Sequence, residues 1–318
     1  MSISVEAHFA QQLASNLPKF REKALKKIGI WFQKVSVTST ALDEEILLRI
    51  WKGLYYYFWH CDKMLVQEEK ADVISQYIHV FKSVKYSFLY LDTFLKTIAR
   101  EWHDIDKFRL DKFLMLVRRF LHQGYQLLKN LKWEVKYIKA FVKTLKNTVL
   151  SPSSESVPLG LKIHISEIYM EELAKVGADE VTSKILLQFL LPYCRVLCYC
   201  DDPSLLNSVS KDVFLYLINQ DADEDEFEEL PVLQFKPTAV QKLLMKFANI
   251  PNIRRSNLKV IHTIIKEFEN YKNGVNKYEQ FMAKQYPNCD LKKRDIEKAA
   301  LDLFKEETKG VKKMKGII

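Results

Sequence analysis

Apolar residues recur every three or four positions along most of the chain, which is the spacing of one face of an α-helix. We find no convincing run of the apolar–polar alternation that is typical of a half-buried strand. Helix start and stop residues divide the pattern into helices, predicted at about 18–35, 40 or 43 to 60, 63–82, 86–101, 106–128, 130–149, 161–176, 179–199, 203–219, 237–249, 254–272, 275–285 and 290–308.

This pattern predicts an all-α fold of about a dozen helices joined by short loops. No internal repeat is legible, which argues against a tetratricopeptide or ankyrin array. Successive antiparallel helix pairs of about 40 residues fit a HEAT-like or armadillo-like helical solenoid, whose extended faces suit the binding of macromolecules. The scarcity of glycine (8) and proline (9) in 318 residues argues against all-β sandwiches and glycine-rich nucleotide-binding folds.

Five scattered cysteines form no disulfide framework, which favours a reducing compartment, the cytosol or the nucleus. The first residues lack the pattern of a signal peptide. No apolar run reaches the roughly 18 residues that a membrane span needs, so we expect no membrane association.

Charge divides the chain into three parts. Residues 1–150 carry 25 Lys and Arg against 15 Asp and Glu, residues 151–236 carry 6 against 16, and residues 237–318 carry 18 against 9. We therefore distinguish a basic N-terminal part, an acidic middle part with an acidic loop at 221–231, and a basic C-terminal part with a short tail; one continuous helical domain is expected from residue 1 to about 220. This order favours polyanion binding by the outer parts, self-complementary packing, or both.

The sharpest local feature lies at 128–149, where lysines follow an apolar stripe at the same spacing. Acidic residues are nearly absent from this stretch, and a row of ammonium groups along a helix suits a phosphate backbone. The residues predicted to bind RNA are Arg118, Arg119, Lys129, Lys132, Lys136, Lys139, Lys143 and Lys146. A solvated lysine face, or docking of an acidic protein or of the chain's own acidic segment, remains the alternative.

Two further clusters favour structural roles. The aromatic helix around Trp51–Trp59 predicts a central core helix, with a partner-anchoring surface as the alternative. Cys194, Cys198 and Cys200 lack the paired spacing of zinc sites and are interpreted as buried helix residues. Phosphate loops, nucleophile elbows and zinc-protease motifs are absent, so we expect no enzyme, no cofactor and no small-molecule substrate.

Four segments, at Phe9–Ile28, Glu44–Phe81, Glu101–Leu121 and Glu167–Leu197, carry a family resemblance in order along the chain. The most specific reads EWHDIDKFRLDKF. Together they resemble the ribosomal RNA-processing protein 1 family, the nucleolar Nop-fifty-two-type proteins of eukaryotes. The motif residues are Trp51, Lys52, Gly53, Asp62, Lys63, Trp102, Asp106, Arg109, Asp111 and Lys112.

The resemblance implies an all-helical, non-enzymatic assembly factor of the precursor of the large (60S) ribosomal subunit, in the nucleolus. It implies binding to large-subunit pre-rRNA, other assembly factors and ribosomal proteins, and a need for the protein in pre-rRNA processing. A protein-only helical adaptor with a basic docking face is the alternative; a metal-dependent nuclease would need clustered carboxylates, of which the sequence gives no sign.

The motif itself favours packing over binding. Asp106 and Arg109 are i,i+3 neighbours that can form an ion pair. Gly53 lies inside a bulky aromatic helix, which predicts the close approach of a neighbouring backbone. The lysine stripe is therefore the better candidate for RNA contact.

Overall fold

A computed structural model describes residues 4–37, 42–152, 157–220 and 231–274. Within these ranges the chain forms helices, turns and loops, and no strand, as the hydrophobic pattern predicted. The acidic segment 221–230, the helices predicted at 275–285 and 290–308 and the basic tail lie outside the described residues.

The helices follow the predicted order with shifted ends. Two 3₁₀ turns (Tyr77–His79 and Trp102–Asp104) extend α4 and α5, and a π-helical segment (Val209–Leu215) joins α10 to α11. The α-helices are α1 (Val5–Leu13), α2 (Pro18–Val35), α3 (Glu44–Trp59), α4 (Met64–Gln76), α5 (Val84–Glu101), α6 (Leu110–Asn130), α7 (Val135–Asn147), α8 (Leu159–Gly177), α9 (Ser183–Tyr199), α10 (Pro203–Ser208), α11 (Tyr216–Asn219), α12 (Pro237–Ala248) and α13 (Arg255–Lys272).

Local chemistry explains several helix starts. Pro18 is the first residue of α2, where its fixed φ angle favours the helix and its missing N–H costs nothing. The side chain of Asp43 accepts a hydrogen bond from the Ile46 N–H at 2.8 Å, so it caps α3. The sequence pattern did not predict α1, a nine-residue helix with only Leu13 fully buried.

One predicted helix was wrong in its extent. The helix placed at 130–149 is shorter, because α6 continues to Asn130 and α7 begins only at Val135. Between them Lys132 and Trp133 have φ angles of 54° and 53°, in the left-handed region that interrupts an α-helix. The lysine stripe is therefore split between two helices and a turn.

The helices stack in two rows. In one row α1 contacts α3, α3 contacts α5, α5 contacts α7, α7 contacts α9 and α9 contacts α12. In the other row α4 contacts α6, α6 contacts α8, and α8 contacts the π-helical segment. An ion pair at 3.2 Å between Glu22 and Lys70 joins α2 to the start of this second row.

The aromatic helix α3 is a core helix, as predicted. Trp51 is 1% exposed, and its ring lies 4.9–5.3 Å from the rings of Tyr90, Phe94 and Phe120 on α5 and α6. Its indole N–H donates to the Tyr90 carbonyl at 3.2 Å, so the one polar atom of the ring is satisfied. The N-terminal half of the chain is thus built around an aromatic centre.

The described residues between 4 and 269 form one compact unit, which contains the two rows. The second unit begins at Asn270, and its described part, residues 270–274, is the end of α13 and the turn after it.

Candidate nucleic-acid interface

Helix α7 presents two chemically opposite faces. Ile138, Phe141 and Leu145 are fully buried, and the Phe141 ring packs 5.4 Å from Tyr125 and 6.2 Å from Phe88. These contacts fix α7 between α5, α6 and α9 and set the direction of its other face.

The outer face of α7 is a lysine surface. Four exposed lysines lie within an arc of about 80°, opposite the buried residues; they are Lys136, Lys139, Lys143 and Lys146. Lys136 pairs with Glu134 at 2.8 Å, and the other three form no ion pair with any described residue. Exposed Lys132 lies in the turn before the helix. We call these five residues the α7 lysine face.

The turn that splits the predicted stripe has a physical cause. The Trp133 N–H donates to the Leu128 carbonyl at 2.9 Å, which closes the end of α6 in the manner of a Schellman motif. The buried Trp133 ring lies against Gly177, where an added Cβ would sit 2.6 Å from the ring. Its indole N–H donates to Glu180 at 2.8 Å. Burial of this indole at the end of α8 therefore favours the break over a continuous helix.

Lys129 does not belong to the exposed face. Its ammonium group donates to the Val176 carbonyl at 2.9 Å and lies 3.4 Å from Glu180. A cation at the carboxyl end of α8 satisfies a terminal carbonyl and complements the helix dipole. Lys129 thus joins the ends of α6 and α8.

The two predicted arginines lie in ion pairs between helices of the second row. Arg118 donates to Glu171 at 2.7 Å and to Glu172 at 2.8 Å, which links α6 to α8. Arg119 lies 3.0 Å from Asp72 and links α6 to α4. The Arg118 side chain is 34% exposed and the Arg119 side chain is 41% exposed, and both charges are balanced by carboxylates within the fold.

Glu172 is the buried centre of this network. Its side chain is 4% exposed, and it also accepts a hydrogen bond from His122 at 2.9 Å and pairs with Lys175 at 3.2 Å. Burial raises its pKa, but hydrogen bonds from His122 and Arg118 and the charge of Lys175 outweigh burial and hold the pKa at about 2. The sequence did not single out Glu172, because its partners on α6, Arg118 and His122, lie about 50 positions away.

The family motif residues divide into buried and exposed groups. Gly53 lies so close to α1 that an added Cβ would be 2.7 Å from the Ala10 Cα atom and 2.8 Å from its carbonyl oxygen. The predicted close backbone approach is confirmed. Trp102 lies against Gly160 at the start of α8.

The loop before α6 confirms the predicted local pair. Asp106 accepts hydrogen bonds from the backbone N–H groups of Phe108 at 2.9 Å and Arg109 at 3.1 Å, and it pairs with the Arg109 guanidinium. The guanidinium also lies 4.6 Å from the centre of the Trp59 ring. These contacts fix the conformation of the loop that precedes α6.

Lys112 is a buried structural cation. Its ammonium group donates to the carbonyls of Trp59 at 2.7 Å and Cys61 at 2.8 Å, at the carboxyl end of α3. Burial lowers the pKa of Lys112, since it penalises the charged form. The remaining motif residues are exposed: Lys52, Asp62, Lys63 and Asp111.

The cysteines do not assemble a metal site in the part of the chain that the structure describes. Cys194, Cys198 and Cys200 are buried, as interpreted, and burial raises the pKa of the Cys198 thiol to about 11. No group of three or more His, Cys, Asp or Glu side chains in the described ranges is placed to hold a metal ion. None of the described helices is both long and apolar enough to cross a membrane.

The described residues thus form an all-helical fold with a lysine face on α7. The family model described as "Nucleolar protein, Nop52" matches residues 4–242. The chain belongs to this family, whose similar members include the ribosomal RNA processing protein 1 homologues, so the resemblance read from the sequence is confirmed.

Three relatives illustrate the extent of the similarity. The chain is 39% identical over 220 residues to Ribosomal RNA processing protein 1 homolog B of Mus musculus, covering 69% of this chain and 30% of that protein. It is 38% identical to homolog A of Homo sapiens, covering 71% of this chain and 49% of that protein. The homolog of Caenorhabditis elegans is 30% identical over 99% of this chain and 81% of its own length. The chain thus spans half or less of these two mammalian proteins.

Proposed function

We propose that this chain is a non-enzymatic assembly factor of the pre-60S ribosomal particle in the nucleolus, where it supports pre-rRNA processing. The observation that carries the proposal is family membership over residues 4–242, because the family is described as nucleolar and the similar proteins are named for ribosomal RNA processing. Processing defects on its loss would then reflect misassembled particles rather than lost cleavage.

The scaffold in this proposal is a HEAT-like solenoid. Two rows of helices, each contacting the next in its row, leave elongated outer surfaces that suit a large partner. Large-subunit pre-rRNA is the proposed RNA partner. Other assembly factors and ribosomal proteins are proposed to dock elsewhere on the same rows.

The proposed RNA contact is the α7 lysine face. Its ammonium groups face away from the core, and Lys139, Lys143 and Lys146 have no carboxylate among the described residues to neutralise them. Neutralisation of phosphates by such groups releases counterions, which makes affinity strongly salt-dependent. Arg118, Arg119 and Lys129 are proposed to support the interface indirectly, because they hold α6 against α4 and α8.

The salt dependence of RNA binding tests this contact. A variant with Lys136, Lys139, Lys143 and Lys146 changed to Gln should lower the slope of log affinity against log salt by up to about 3, at about 0.7 per phosphate on single-stranded RNA. A matched control changes four exposed lysines elsewhere, namely Lys82, Lys184, Lys242 and Lys246, to Gln. The slope should fall less in the control than in the α7 variant.

An unchanged slope with an intact fold would remove the α7 lysine face from the RNA site. Preferential binding of acidic peptides over RNA at physiological salt would instead favour the protein-only adaptor, with α7 as its docking face.

A further inference from the structure

Helix α2 has a second exposed basic face that the sequence pattern did not single out. The helix packs through one side, where Ala24, Leu25, Ile28 and Phe32 are buried. The opposite side carries exposed lysines within an arc of about 100° and along about 22 Å of helix. They are Lys19, Lys23, Lys26, Lys27 and Lys34, and we call them the α2 lysine face.

These five lysines are not neutralised within the described part of the protein. None of them forms an ion pair with a described residue. Glu22 carries the one carboxylate of the helix, and its partners lie on other helices. It accepts a hydrogen bond from the Tyr57 hydroxyl at 2.5 Å and forms an ion pair with Lys70 at 3.2 Å. The positive field of the face is therefore uncompensated along the helix.

Some other lysines of the protein have their charge balanced locally. Lys96 on α5, for example, lies 2.7 Å from both Asp92 and Glu44, so its charge is balanced locally. A helix at the edge of the fold needs only a polar outer surface for solubility, which mixed charges supply. Five like charges without a counter-charge repel one another, and a bound polyanion relieves that repulsion.

Apolar side chains accompany the lysines. Phe20 is 44% exposed at the edge of the face, and Ile30 is 55% exposed within it. Surfaces that bind single-stranded RNA combine basic side chains, which follow the backbone, with exposed aromatic rings, on which bases stack. A lysine face for an acidic protein needs no exposed ring, so RNA is the better match.

We propose that the α2 lysine face is a second RNA-binding surface, which holds the phosphate backbone of single-stranded RNA while Phe20 stacks on a base. The inference rests on the proposed function as a pre-rRNA-binding factor and adds a second contact to it. Two faces on one chain bind two RNA segments with an avidity that neither face gives alone.

The test measures binding of a fluorescent oligouridine to the full chain across a series of salt concentrations. Changing Lys19, Lys23, Lys26, Lys27 and Lys34 to Gln should lower the log–log slope by up to about 3.5, at about 0.7 per phosphate. The same five positions changed to Arg should keep the slope, because Arg retains the charge. Phe20→Ala should weaken binding by about fivefold or more without changing the slope.

The α7 variant in the same assay separates the two proposals. A lower slope for the α7 variant and an unchanged slope for the α2 variant would overturn this inference and leave the proposed function standing. Unchanged slopes for both variants would overturn both RNA contacts. Unchanged RNA binding with lost binding of an acidic peptide, such as one of sequence DADEDEFEE, would reassign the α2 face to a protein partner.

Discussion

Gly53 in α3 faces the backbone of Ala10 in α1 so closely that a methyl group at Gly53 would lie 2.7 Å from the Ala10 Cα atom. This is closer than side-chain carbons approach a backbone in a folded protein. The absence of a side chain at Gly53 therefore determines how α1 packs on α3, and the glycine of the family motif acts at this contact.

Gly53→Ala should destabilise the protein by about 2 kcal/mol. Alanine favours a helix interior over glycine by about 1 kcal/mol, but overpacking against an immobile backbone costs about 3 kcal/mol, the upper end of the usual range, and displaces α1; the net loss is therefore about 2 kcal/mol. Urea unfolding measures the loss, and hydrogen exchange of the α1 amides should accelerate.

Gly160→Ala is the matched control for this prediction. An added Cβ at Gly160 lies 3.4 Å from the Trp102 ring nitrogen, a contact at the edge of the ordinary range, so stability should stay within about 1 kcal/mol of wild type. Equal losses in both variants would contradict the proposed role of the contact. Ala10→Gly should not rescue Gly53→Ala, because the clash is with backbone atoms.

The sequence predicted this contact in part. A glycine among large aromatic residues indicated a close neighbour, but nothing in the spacing identified α1, which has one fully buried residue and was not predicted. The same limit applies at 131–134. The period of three and four continues through the turn, and only the pocket beside Gly177, formed by a distant segment, explains why Trp133 ends α6.

Lys112→Met should destabilise the protein by about 2 kcal/mol. The change keeps an apolar chain of similar length but leaves the carbonyls of Trp59 and Cys61 without their shared donor. The variant also avoids the desolvation cost of burying the Lys112 charge, but this gain offsets only part of that loss. Urea unfolding tests the value.

Lys52→Met provides the comparison within the same motif. Lys52 is exposed, so its loss should change stability by less than about 0.5 kcal/mol. If Lys112→Met instead left stability unchanged and abolished RNA binding, Lys112 would be a binding residue and not a structural cap.

Glu172→Gln should lower the free energy of unfolding at neutral pH by about 3 kcal/mol. This is the free energy that corresponds to a pKa of about 2 against an ordinary 4.5. Because the folded-state pKa is the lower one, this stability is fully present above about pH 4.5 and is lost as the pH falls towards 2. The difference between variant and wild type should therefore shrink across that window. Denaturant unfolding at stepped pH measures it.

Glu69→Gln serves as the exposed counterpart. Its carboxylate is 63% exposed and pairs with Lys70 at the surface, so its effect at neutral pH should stay below about 1 kcal/mol. If the difference in unfolding free energy between Glu172→Gln and wild type stayed the same from pH 7 to pH 3, the assignment of Glu172 as a buried charge would be contradicted.

The candidate site was predictable only at its exposed part. Lys136, Lys139, Lys143 and Lys146 follow the helical period, and the structure leaves all four exposed. Arg118 and Lys129 have the same charge and similar spacing, yet both are directed at groups of α8 about 50 positions away. Sequence spacing describes one helix at a time, whereas the partners of a charge depend on how the helices stack.

Ultraviolet protein–RNA crosslinking in cells, with both the RNA and the crosslinked peptide sequenced, shows whether the two lysine faces contact pre-rRNA. We expect crosslinks to large-subunit rRNA or its spacers, carried by peptides from 132–146 and 19–34. Recovery of the protein in pre-ribosomes without any RNA crosslink would contradict this expectation and make the basic faces protein-docking surfaces.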